Sequence, residues 1–261
     1  LAKIQRIPVH HSREYESEAS SIGHTISTDV KSVGVETHKG YKYVVVFVDH
    51  YSNLALEYFM RSKGETTKML KRFINDMWRL GKVKIKNIQS DRGSEYFEQE
   101  GEAQYNWERR QHDFEKCCSA NHITHIKRPV EGKEKVAEQW FKEHFRCADS
   151  MLLEARMSPI FWADAVKYSN FQFNRTPNLK RDDLKSPWEL LTGQRVRWDK
   201  WKVFGADVYE HIPNNKFNKV PGIPKGRKEI FLGFTEGMEG HLVFNLKKVM
   251  QENCFLATIM I

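Results

Sequence analysis

The chain has 261 residues, 40% hydrophobic and 12% aromatic, enough to bury one good core and a small second one. Lys and Arg number 42 against 34 Asp and Glu, and the formal charge of +8 favours a polyanionic partner, nucleic acid first. The four cysteines lack the spacing of a disulfide framework and no charged-then-apolar leader is visible, so a reducing compartment is expected; apolar runs such as Val44 to Val48 are far too short for a membrane helix.

Residues 1–22 are polar, carry both signs of charge and show no period, the texture of a linker. From Gly23 on, GHTISTDV, YKYVVVFVDH and LALEYFM are short β-branched and aromatic runs with turn-rich segments between them, which predicts a three-stranded meander. ETTKMLKRFINDMWRLG sets Met69, Leu70, Phe73, Ile74, Met77 and Leu80 at helical spacing and stops at Gly81, read as a C-terminal glycine. A fourth strand, KIKNIQS, leads into Asp91. Residues 97–110 read as a surface excursion, followed by a short helix in HDFEKCCSAN and a strand in HITHIKRP.

The strongest helix runs from Lys133 to Arg156, where Val136, Trp140, Phe141, Phe145, Ala148 and Leu152 recur at three and four. SPIFWADAVKYSNFQFNRTP opens with Ser158 as N-cap and Pro159 at the first helical position, and it stops before Pro177. After a short helix in WELLTG, the segments WKVFGADVYEHI, KEIFLGF, HLVFNL and KVMQENCFL read as strands of a small all-β unit. The expected organisation is a linker over 1–22, a core over 23–180, a connector over 181–197 and the β unit over 198–261.

Three carboxylates are placed for chemistry: Asp29 at the end of the first strand, Asp91 after the fourth, and Glu138 in the first turns of the long helix. Strand ends and a helix start can meet at one rim, and an all-carboxylate set suits a pair of hard divalent cations bridging a phosphate. On spacing alone each has an ordinary alternative, Asp91 as the aspartate that starts a turn and Glu138 as part of a solvated helix face paired with Lys142. Lys142, one turn beyond Glu138, is a candidate phosphate contact; Lys216, Lys219, Lys225, Arg227 and Lys228 form a basic patch in a glycine- and proline-rich stretch suited to a DNA backbone. Trp198 and Trp201 offer base stacking or a place in a core. Cys117, Cys118, His122 and His125 are the residues to consider for zinc, but the two histidines lie three apart on a predicted strand and face opposite sides, so zinc is not expected. The glycosylation pattern at 174–176 ends a helix expected to be buried and is set aside.

Whole phrases, in order, resemble the integrase of copia-type long-terminal-repeat retrotransposons. STDV resembles the first catalytic aspartate segment, KGYKYVVVFVDHYSNLALEYFMRSK the second and third strands, IQSDRGSEY the second aspartate, and VAEQ the segment with the catalytic glutamate. FWADAVKYSNFQFNRTP, SPWELLTGQR, WKVFGADVYEHIP and RKEIFLGF resemble the trailing helices and strands, so that the resemblance covers nearly all of residues 24–255. It implies an α/β, ribonuclease-H-like mixed sheet flanked by helices, followed by a small Src-homology-3-like all-β barrel. It implies Asp29, Asp91 and Glu138 as ligands of two Mg2+ (or Mn2+) ions, and DNA 3′-end processing and strand transfer as the reaction. Double-stranded DNA is the implied partner. Joining two ends calls for a homo-oligomer, in a nuclear or cytoplasmic particle and without a membrane. Two departures stand out: RPVEGKEKVAEQ is longer than the family's approach to its glutamate and lacks the usual Asn-Gly, and Gln139 replaces an arginine. They suit a second reading, a non-catalytic descendant that keeps the fold and binds DNA or protein.

Overall fold

The computed structural model describes residues 19–91, 113–128, 136–179, 181–211, 226–235 and 240–245; at Asp91, Arg128 and Lys200 it describes the backbone alone. Strands β1 (Thr25–Ser32), β2 (Tyr43–Asp49) and β3 (Ala55–Met60) form the expected antiparallel meander. Helix α1 (Thr66–Gly81) then leads to β4 (Asn87–Asp91), which lies parallel to β1 on its other side. A helical stretch α2 over 113–120 and the strand β5 (Thr124–Arg128), parallel to β4, complete a mixed sheet of order β3-β2-β1-β4-β5. This is a mixed sheet flanked by helices, as the sequence implies.

The continuous apolar run of β2 is explained by helices on both faces of the sheet. Val44, Val46 and Val48 face α3 (Val136–Glu154) and α4 (Trp162–Arg175), whereas Val45 and Phe47 face α1. The Phe47 ring stacks on Phe73 of α1 with centroids 4.4 Å apart. The helix stops at Gly81, as its sequence predicts; the left-handed cap is the next residue, Lys82, at φ 55°, and Gly81 itself is helical. A Cβ at Gly81 would fall 2.5 Å from the carbonyl oxygen of Leu191 in α5 (Pro187–Thr192), so close helix approach is what a glycine serves there.

Helix α4 begins after Ser158, whose hydroxyl accepts from the Ile160 N–H through one 3-10 turn. Its polar side chains Asn170 and Asn174 finish the exposed edge of β3. Asn174 accepts from the Ala55 N–H at 3.0 Å and donates to the Ala55 carbonyl at 2.7 Å. Asn170 donates to the same carbonyl at 2.8 Å and to the Glu57 carboxylate, while the indole N–H of Trp140 donates to its Oδ1. A buried amide with this many partners is well satisfied.

Burial sets two opposing pH terms around these helices. Desolvation pushes Glu57 up to about 7 from 4.5, and it drives His144 of α3 down to about 3 from 6.5. Glu57 adds stability that is complete below pH 4.5 and is lost as pH rises through 7; His144 adds stability that is complete above pH 6.5 and is lost as pH falls toward 3. Glu57→Gln mimics the protonated carboxyl. Its stability relative to wild type is expected to grow by on the order of 2 kcal/mol as pH is raised from 4.5 to 7. Urea midpoints at several pH values read this directly, and a constant difference would refute it.

The trailing strands β6 (Asp207–His211), β7 (Gly226–Phe234) and β8 (His241–Phe244) form a three-stranded antiparallel sheet where the barrel is expected. Only Asp207–His211 of the predicted WKVFGADVYEHI strand is extended; Phe204 before it is buried in irregular backbone. The strand proposed for KVMQENCFL lies outside the described residues. The sheet packs on α4, and Phe231 and Phe234 both reach Tyr168, at centroid distances of 5.6 and 6.2 Å. Residues three apart point to opposite faces of a regular strand; the irregularity between Phe231 and Gly233 (φ 148°) brings both rings inward. Among the described residues no helix is long and apolar enough to cross a membrane.

Candidate active site

Asp29 and Asp91 meet through strand register. The parallel β1–β4 pairing runs from Thr25 opposite Asn87 to Thr28 opposite Ser90, so Asp29 and Asp91 are the next residues on adjacent strands. Asp91 is the last residue of β4, not the first of a loop. Asp29 lies opposite Val46, a residue of the cluster under α3 and α4, which identifies the face as the one α3 covers. Asp29 is partly exposed, and its Oδ1 accepts from the Val30 N–H at 2.7 Å.

Helix α3, which carries Glu138, covers this face of the sheet. Lys31, two residues beyond Asp29, sets its ammonium over the rings of Phe141 and Phe145 of α3, and Phe141 lies one turn beyond Glu138. Glu138 and Lys142 are both exposed on that helix. Among the described residues no group of three or more His, Cys, Asp or Glu is gathered for a metal, and the Asp91 side chain is outside that set. The donors themselves are hard carboxylate oxygens, which fit Mg2+ or Mn2+.

The loop that follows β1 is pinned beside this end of the sheet by contacts the sequence does not announce. Asp164, in the first turn of α4, accepts from His38 Nε2 at 2.8 Å and Lys39 Nζ at 2.6 Å. Burial alone would raise the Asp164 carboxyl, but His38 and the Lys39 ammonium hold it below its ordinary value. The Trp162 indole donates to the Val35 carbonyl at 2.8 Å.

The other candidates are dispersed. Cys117 and Cys118 are buried in the core on the α1 side, where burial pushes the Cys118 thiol up to about 12. His122 sits in a turn at φ 56° ahead of β5, and His125 Nε2 pairs with Ser90 Oγ at 2.8 Å. Arg227 and Lys228 are exposed on β7, with Lys228 bound to Asp207 at 2.7 Å; Lys216, Lys219 and Lys225 lie outside the described residues. Trp198 is exposed and its ring lies tilted against the partly buried Trp201, centroids 4.6 Å apart.

Residues 20–127 match the Integrase core domain family. The retrovirus-related Pol polyprotein from transposon TNT 1-94 of Nicotiana tabacum is 28% identical over 222 residues, 83% of this chain and 15% of that protein. The Pol polyprotein from transposon RE1 of Arabidopsis thaliana is 24% identical over 241 residues, 88% of this chain and again 15% of the relative. The chain thus spans about 15% of the length of these curated relatives. Among solved structures, the HTLV-2 integrase catalytic core domain in complex with magnesium is 19% identical at a TM-score of 0.45, covering 66% of this chain and 99% of that one. The simian T-cell lymphotropic virus intasome in complex with a PP2A regulatory subunit is 13% identical at a TM-score of 0.46, covering 87% and 77%. The chain is thus similar over residues 20–127 to the integrase core domain family and, over most of its length, to copia-type retrotransposon Pol polyproteins.

Proposed function

We propose that this chain is the catalytic portion of a retrotransposon integrase, which trims DNA 3′ ends and joins them to target DNA. The observation that supports the reading is the β1–β4 register, which sets Asp29 and Asp91 at the next positions on adjacent strands. Asp29, Asp91 and Glu138 would hold two Mg2+ or Mn2+ ions. When bound, the ions supply charge stabilisation at the phosphate and at the attacking and leaving oxygens. A water or a 3′-hydroxyl attacks the phosphodiester in line, and the leaving oxygen departs on the opposite side. The chain's own part is to hold the three carboxylates on rigid elements and to keep the β1–β2 loop fixed at the rim through Asp164.

In this reading residues 23–180 are the catalytic core and 198–261 a barrel-like DNA-binding module, with Lys142 and the basic residues 216–228 on the DNA backbone. Joining two ends requires a homo-oligomer. The test is a strand-transfer assay on DNA ends with Mg2+ or Mn2+: wild type forms product and Asp91→Asn does not. Equal product from both overturns the proposal. No product from wild type, with DNA binding intact, favours the non-catalytic descendant that the altered approach to Glu138 suggests.

A further inference from the structure

Lys31 is a lysine near the proposed ligands that, among the described residues, has no carboxylate partner. It follows Asp29 by two residues on β1, so both side chains leave the same face, and it contacts α3 one turn beyond Glu138. Its ammonium lies 5.8 Å from the Phe141 ring centroid and 5.1 Å from that of Phe145. Two aromatic faces orient an ammonium without cancelling its charge. The next two lysines are spoken for, Lys39 by Asp164 and Lys42 by Glu36. Among the described residues no carboxylate oxygen lies within 4.0 Å of Lys31. The outcome is an exposed positive charge, steered by its apolar stem and held between the strand of Asp29 and the helix of Glu138.

We propose that Lys31 binds a non-bridging phosphate oxygen of the DNA strand being cut or joined and seats that strand over the carboxylate face. The proposal rests on the integrase reading for its substrate. A lysine offers a compact charge with three donors, which suits one phosphate oxygen, and a side chain already settled on aromatic rings loses little freedom on binding.

The test compares wild type, Lys31→Met and Lys31→Arg. Methionine keeps the stem on Phe141 and Phe145 and removes only the charge, and thermal melts check that both variants fold as wild type does. Binding of a labelled duplex is read by fluorescence anisotropy across a salt series without divalent metal, so that no strand is cut. Lys31→Met is expected to bind about tenfold more weakly at low salt, with the slope of log K against log salt shallower by about 0.9, and Lys31→Arg to stay within about twofold of wild type. In strand transfer with Mg2+, Lys31→Met is expected to raise KM more than it lowers kcat. Wild-type affinity and slope in Lys31→Met overturn the proposal. Absence of product from wild type defeats the catalytic reading separately, because the salt slope still reports whether Lys31 meets a phosphate.

Discussion

Glu138→Gln is expected to lower the single-turnover rate of strand transfer in Mg2+ by about 10³-fold or more, while Glu143→Gln stays within about twofold of wild type. Glutamine keeps the size of the side chain on an exposed first turn, so the helix and its packing persist. What it removes is one of the three negative charges proposed to hold the ions. Metal-mediated charge stabilisation is worth several kcal/mol, and each 1.36 kcal/mol is a factor of ten in rate. Glu143 is the control because its carboxylate is engaged elsewhere on the helix surface, accepting from Gln139 Nε2 at 2.8 Å. A surface change of that kind shifts energies by about half a kcal/mol. The same variants separate ligand loss from misfolding: Mn2+ raises the melting temperature of wild type and of Glu143→Gln, and fails to raise that of Glu138→Gln. A 10³-fold loss in Glu143→Gln with normal Glu138→Gln would move the ligand along the helix.

Tyr168→Ala is expected to cost about 3–5 kcal/mol, the range for emptying a buried aromatic site. Tyr168 is 2% exposed, and its ring meets Phe171, Phe204, Phe231 and Phe234. Its hydroxyl donates to the Lys202 carbonyl. The residue therefore ties α4 to the irregular segment before β6 and to β7. Removing it takes most from the trailing sheet, which its ring joins to α4, and least from β1 and β2. Hydrogen exchange should show β6–β8 amides losing protection first, with β1 and β2 amides retaining theirs. Tyr168→Phe keeps the ring and loses one hydrogen bond, for a cost of about 1 kcal/mol. Uniform loss of protection across both sheets in Tyr168→Ala would show that the two unfold as one unit.

The five-stranded sheet and its helices were legible because their signals are local. Val44 to Val48 announce a strand buried on both faces, and the three-and-four spacing after Val136 announces α3. The three proposed ligands are singled out only by the order of the phrases around them, since no spacing rule places residue 29 beside residue 91. That adjacency comes from the parallel pairing of β1 with β4, neighbours in the sheet though far apart in sequence, with Thr28 opposite Ser90. Contacts between distant segments left no trace either. The clamp of His38 and Lys39 on Asp164 joins residues more than a hundred positions apart, and Lys31 gives no hint in sequence that Phe141 and Phe145 receive it. Gly81 does end α1, but its role lies elsewhere: a glycine near a helix end suggests left-handed backbone, whereas the approach of Leu191 is set by tertiary packing. Phe231 and Phe234 read as ordinary strand residues; the irregularity at Gly233 decides that both face α4.

The amide pair on α4 has a further consequence for assembly. An open strand edge invites another chain to continue the sheet by backbone hydrogen bonding. At Ala55 both the N–H and the carbonyl of β3 are already occupied by Asn174, with Asn170 sharing the carbonyl, and the next outward carboxylate, Glu57, is bound to Asn170 as well. A second copy arriving at this end of the strand meets side chains with their partners already chosen, so union there proceeds by surface matching and leaves each sheet at five strands.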